Sequence, residues 1–165
     1  MRTSRTRNGA RTSTYLFLKN GDVRYNCTII DLHDRSVVAS ITDRHITSEL
    51  AVRMLQKALE SQRPAKGSLI LHSDQGCQYT SKAFIEFCES AHVAQSMSRA
   101  GYPYDNAPME RYFNTLKNEC TNLYEFRTEE ELYQTVVEFA YVTYNHVRPH
   151  SYNGYRTPYQ ARTAA

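Results

Sequence analysis

TYLFLKNGDVRYNCTIIDLHDRSVVASI (residues 14–41) decides the fold. Thr14–Leu18 is a short β-prone run, Asn20-Gly21 follows, and Val23–Leu32 is a second such run. Asn-Gly between two such runs is the strongest short-range hairpin signal, because both turn positions of a two-residue loop need positive φ. After the polar turn His33–Ser36, Val37–Ile41 supplies a third strand, so an antiparallel meander is expected.

Downstream the period changes. Ser48 can cap a helix over Glu49–Glu60 with Val52, Leu55 and Leu59 on one face. Ser68–His72 reads as a buried strand entered through Pro64 and Gly67. Thr80 or Ser81 can start a helix reaching Ala91, and Val93–Met97 is another short strand. Asn106 can cap a helix that carries Pro108 in its first turn, where a missing N–H costs nothing. The last long helix starts at Thr128, with Glu131 completing a capping box, and runs to about Asn145. The order β-β-β-α-β-α-β-α-α predicts one mixed α/β sheet, a meander then β-α alternation, flanked by helices. Ligand sites in such sheets gather outside the carboxyl ends of parallel strands, here just after Leu69–His72.

The 165 residues suit one domain, and 41% hydrophobic with 22% charged residues is ordinary for a globular chain. No apolar run approaches the ~20 residues of a membrane span, and no h-region opens the chain, so a cytoplasmic protein without membrane attachment is expected. Cys27, Cys77, Cys88 and Cys120 are widely spaced, as reduced thiols are. The net charge of +3 is uneven. Residues 1–13 hold four arginines and no acid, leaving 16 basic against 17 acidic residues elsewhere. That leader, residues 1–13, is expected to be disordered, with the folded core spanning 14–165.

Asp74 follows the buried fourth strand, where a partly desolvated carboxylate needs a donor or a metal; it can equally bond its own backbone ahead of Gly76. Glu110 lies in a helical first turn, with Asn114 and Lys117 two turns along the same face. Such a stripe can bring a metal and a phosphate together, or be plain solvated surface. Pro149 breaks the His146/His150 spacing and no cysteine pair stands near, which argues against zinc. No glycine-rich nucleotide loop and no nucleophile elbow are present, so no small-molecule cofactor is expected. Tyr102, Tyr104 and Tyr112 interleave with Arg99 and Arg111, which suits base stacking and also an ordinary amphipathic rim.

Several of these segments together carry a resemblance. His72–Gly76, Gln78-Tyr79, Ser96–Ser98, Tyr104–Glu110, Thr115–Lys117 and the ending Tyr144–His150 with Gly154-Tyr155 and Thr157-Pro158 resemble the integrase-type DDE catalytic core of bacterial insertion-sequence transposases, similar to retroviral integrases. Thirty-five residues separate Asp74 from Glu110, the spacing of that family's motif. The resemblance covers roughly residues 14–162. It implies a ribonuclease-H-like five-stranded fold and metal-dependent cleavage and strand transfer at transposon ends. It also implies three carboxylates holding two Mg²⁺ (or Mn²⁺) ions, one activating a hydroxyl and one stabilising the leaving oxygen. Asp74 and Glu110 match two of these catalytic and metal-binding positions. Lys117 matches a DNA contact, with Asn114 and Arg111 beside it on that helix. The implied partners are DNA, as transposon ends and target, and further copies of the chain when active.

The first carboxylate is where the sequence departs. The family pattern there is Asp, an aliphatic residue, then Thr-Tyr; this chain has Thr12, Ser13, Thr14 and Tyr15. The resemblance ends at Ser13, and the end-recognising helix-turn-helix of full-length relatives has no counterpart, so an N-terminally truncated and catalytically impaired core is expected. The alternative is a non-catalytic remnant that binds DNA or interferes with intact transposase. With a two-residue hairpin loop, Thr12 would pair with Ile29, placing Asp31 about 7 Å away on the same face. A structural role for Asp31, closing the turn into Arg35, is favoured over rescue of the missing carboxylate.

Overall fold

The hairpin turn closes one residue wider than expected. In the computed structural model, which describes residues 7–99 and 106–164, Gly21 N–H donates to the Leu18 carbonyl and Leu18 N–H to the Asp22 carbonyl, both at 2.9 Å. Gly21 has φ +90°, the left-handed position that closes a three-residue hairpin loop. The extra residue moves the register by one. Thr12 pairs with Thr28 rather than Ile29, and Asp31 lies opposite Gly9. The leader residues 1–6 and the stacking candidates Tyr102 and Tyr104 lie outside the described residues.

Strand β1 (Arg7–Phe17) starts seven residues before the expected Thr14. Its first residues pair in parallel with β4 (Leu69–Ser73), from Arg7 opposite Leu69 to Arg11 opposite Ser73. The expectation of a disordered leader is therefore corrected for residues 7–13: a strand some sixty positions away supplies the backbone partners that their polar composition hides. Strands β2 (Val23–Asp31) and β3 (Val37–Asp43) extend the sheet antiparallel on one side, and β5 (Val93–Met97) pairs parallel with β4 on the other. The order β3-β2-β1-β4-β5 is one mixed five-stranded sheet, as the element sequence predicted.

Helices cover both faces. On one, α1 (Ser48–Gln62) and α3 (Lys82–Ser90), the latter preceded by the single turn α2 (Cys77–Thr80), bury Leu50, Met54, Leu55 and Phe84 against Ile29, Ala39 and Leu71. On the other, α4 (Ala107–Glu119) and α5 (Glu129–Glu138) bury Met109, Tyr112, Leu116, Leu132 and Val136 against Leu16, Ile30 and Val37. The short α6 (Pro158–Thr163) carries a full capping box between Thr157 and Gln160. Among the described residues no helix is long and apolar enough to cross a membrane.

Three helix ends differ from the sequence reading: Asn106 stands at the N-cap of α4 but makes no side-chain cap bond there, and two others depart further. Thr47, not Ser48, caps α1, its side chain accepting from Leu50 N–H at 3.1 Å. The last long helix is not α throughout; beyond α5 it widens into a π-helix over Phe139–Val147. Arg148 then leaves the helix in extended conformation, as a residue before proline must. The wider turn delivers Asn145 to the start of β3, where Val37 N–H donates to its Oδ1 at 2.8 Å and its Nδ2 donates to the Val37 carbonyl at 3.0 Å. Asn145→Ala would leave both buried backbone groups without these partners, at a cost of about 2 kcal/mol by chemical denaturation.

Candidate active site

The sheet forks where β1 meets β4. Arg11 opposite Ser73 is the last parallel pair, so the backbone of Thr12 is level with Asp74 as β4 ends. Asp74 is half-buried, and its Oδ1 accepts the Gly76 N–H at 2.9 Å. This is the local turn bond that the sequence offered as one reading. It also explains the glycine: a Cβ on Gly76 would lie 3.0 Å from Asp74 Oδ1 and 2.8 Å from the Gln78 amide nitrogen. Gly76 thus lets the chain turn tightly around the carboxylate.

The segment behind Asp74 is fastened to β5. Ser98 N–H donates to the Ser73 carbonyl at 2.9 Å, and Gln75 Nε2 donates to the Ser98 carbonyl at 3.1 Å. The His72 ring bonds the Ser96 and Ser98 hydroxyls at 3.1 and 2.9 Å. Composition gave no hint of this clasp; the signal was the alternation of His72, Ser96 and Ser98 across two paired strands.

Glu110 sits in the first turn of α4, exposed, where the helix dipole favours an acid. Met109, Tyr112 and Leu116 anchor the opposite side of the helix in the core, which fixes its rotation. At 3.6 residues per turn, Asn114 and Lys117 share the Glu110 face, as the spacing predicted. Arg111 does not. It lies about a quarter-turn round the helix and, with Pro108 and Thr115, lines a separate cleft.

Asp31 has other work. Its carboxylate accepts His33 N–H at 2.9 Å and the Arg162 guanidinium at 3.1 Å, while its carbonyl accepts Arg35 N–H at 2.7 Å. It closes the β2–β3 turn, and the register keeps it three residues from the Thr12 pair. Asp74 and Glu110 offer hard carboxylate oxygens suited to Mg²⁺, but the first-strand position carries a threonine. Among the described residues, no three His, Cys, Asp or Glu side chains group so as to hold a metal ion.

Comparison with known proteins agrees with this geometry. Models described as integrase core domain match residues 12–103 and 91–158. An uncharacterised 31 kDa protein of insertion element IS600 from Shigella sonnei is 38% identical over 145 residues, covering 88% of this chain and 53% of that protein. The transposase for insertion sequence element IS904 from Lactococcus lactis is 35% identical, covering 88% and 56%. The chain spans about half the length of the curated relatives it matches. Among solved structures, the HTLV-2 integrase catalytic core domain in complex with magnesium superposes with a TM-score of 0.71 at 18% identity, covering 95% of this chain and 96% of that one. The Mos1 transposase catalytic domain gives 0.65 at 15%, covering 82% and 71%. The first model begins at Thr12, two residues before Thr14, where the sequence resemblance begins. The two models together take in residues 12–158, the first alone more than half of the chain, and the chain belongs to the integrase core domain family.

Proposed function

We propose that this chain is the core of a DNA transposition protein, acting on transposon-end and target DNA, whose metal-dependent strand transfer is impaired at position 12. What supports the reading is the register that sets Thr12 level with Asp74, together with the insertion-sequence relatives. Asp74 and Glu110 are the carboxylates committed to a divalent ion, Mg²⁺ or Mn²⁺, and a third would be needed to complete a two-metal pair. Asn114 and Lys117, on the Glu110 face, contact the DNA backbone. The active form assembles from several copies, in the cytoplasm where its DNA is found.

Thr12 also favours a second reading: a non-catalytic core that occupies DNA, or pairs with intact transposase and blocks it. The first reading, and the second where the core occupies DNA, require DNA binding, which is the test. Binding of a labelled transposon-end duplex, followed by fluorescence anisotropy, should weaken steeply with salt. Lys117→Gln should lower the slope of log K against log salt by about one. A salt-independent interaction, or no binding, overturns the first reading and leaves of the second only a core that pairs with intact transposase. The two then separate on strand transfer.

A further inference from the structure

A cleft of about 300 Å³ opens beside the amino end of α4, on the side turned away from Glu110. Three arginines from distant parts of the chain line it: Arg35 from the β2–β3 turn, Arg111 from α4, and Arg148 from the end of the π-helix. Thr115, Ser151 and Tyr152 complete the polar wall, and among the described residues no aspartate or glutamate lines it.

Each arginine is held differently. Arg35 has φ +64°, a left-handed conformation that a non-glycine residue keeps only when the surroundings enforce it. Its guanidinium carbon stacks 3.9 Å from the centre of the Tyr152 ring, which leaves the N–H edge of the fork open to an acceptor. Arg148 is fixed by a two-pronged bond to Glu119 at 2.7 and 2.8 Å, so it contributes aimed donors but little net charge. Arg111 is exposed and has no ion-pair partner among the described residues. His150 behind them is buried and pushed below its ordinary pKa, with Nε2 donating to the Tyr144 carbonyl at 3.1 Å. It therefore adds no charge near neutral pH. Burial pushes the Tyr144 phenol up to about 12, and the fields of Arg148, Arg35 and Arg111 all oppose that rise. Tyr144 lines the same cleft as the three arginines.

Two uncompensated guanidiniums, a third held in place, two hydroxyls and an aromatic ring form a surface for a phosphodiester with its sugar or base alongside. We propose that the Arg35–Arg111–Arg148 cleft is a second DNA-backbone site, taking phosphates of a stretch other than the one passing Glu110 and Lys117. The proposal rests on the DNA reading above, and its test keeps the two apart.

Anisotropy with the same labelled duplex is measured for Arg111→Ala, Arg35→Asn and Lys117→Gln. Asparagine tolerates the left-handed turn, and residue 111 is an exposed helical site, so both cleft variants should fold. Each should weaken binding about tenfold at moderate salt and lower the salt slope by about one, and the double variant should lower it by about two. If the cleft variants match the parent while Lys117→Gln loses affinity, the cleft proposal fails and the DNA reading stands. If the parent binds no DNA, both fail. Should a variant lose its circular-dichroism spectrum, the Nε–Hε resonances of Arg35, Arg111 and Arg148 in the unmodified chain decide. They shift on adding duplex if the cleft is occupied, and stay fixed if the proposal is wrong.

Discussion

Thr12→Asp is expected to turn a chain that leaves transposon-end DNA intact into one that transfers strands in Mn²⁺ or Mg²⁺. The substitution changes one side chain on a strand whose backbone is already paired on both sides, to Thr28 and, one residue back, across to Ser73. The last parallel pair, Arg11 with Ser73, sets the backbone of residue 12 level with Asp74, and an aspartate at residue 12 would restore the hard oxygen donor that the family pattern has there. Losing even a supporting partner of a metal site costs ten- to a hundredfold, so a missing ligand should cost on the order of a hundredfold or more. The assay supplies pre-cut transposon ends at high concentration. Asp74→Asn in the Thr12→Asp background should remove the gained activity. Equal strand transfer by the unmodified chain would mean that another acid completes the site, and the assignment of position 12 would fall.

What the sequence made legible was local. Period-two alternation, the Asn20-Gly21 turn and the caps each depend on a few neighbouring residues, and they yielded the strand–helix order and the place of Asp74. Register did not follow. It depends on whether the loop holds two or three residues, and the left-handed φ of Gly21 together with the Leu18–Asp22 pairing settled it. That single residue moved Asp31 away from Thr12. The start of β1 was hidden for another reason: an arginine-rich segment becomes a strand only because β4 offers it a parallel edge. The arginine cleft was out of reach too. Arg35 looks like any turn residue until its positive φ and the ring of Tyr152 are seen. The same holds for Asn145 and Val37, bonded across 108 positions. Widening of the helix into a π-turn has no signature in a hydrophobic pattern built on 3.6 residues per turn.

Arg162→Ala is expected to destabilise the whole fold by about 3 kcal/mol, toward the lower end of what breaking a buried ion pair costs because the arginine is itself partly exposed. From α6 its guanidinium donates to Asp34 at 2.6 Å, to Asp31 at 3.1 Å, to the Ser36 hydroxyl at 2.8 Å and to Gln62 of α1 at 2.6 Å. Four bonds from one side chain tie the last helix, the first helix and the β2–β3 turn together. The Asp34 side chain is only 3% exposed, and truncating the arginine strands that carboxylate without its counter-ion. For a chain of this length the loss corresponds to roughly 9 °C in Tm. The pH dependence gives an independent check. Burial pushes the Asp34 pKa up, but the bonds from Arg162 and Ser36 outweigh it, and the folded value lies below the ordinary 3.8. A carboxyl lowered on folding contributes stability that is complete above its unfolded pKa and is lost as pH falls through the folded one. The gap between parent and Arg162→Ala should therefore be widest near neutral pH and narrow below about pH 4. Arg162→Lys keeps a charge but lacks the planar fork that reaches four acceptors, so it should recover only part of the loss. A Tm within a degree of the parent, flat from pH 7 to pH 3, would reduce Arg162 to an ordinary surface ion pair.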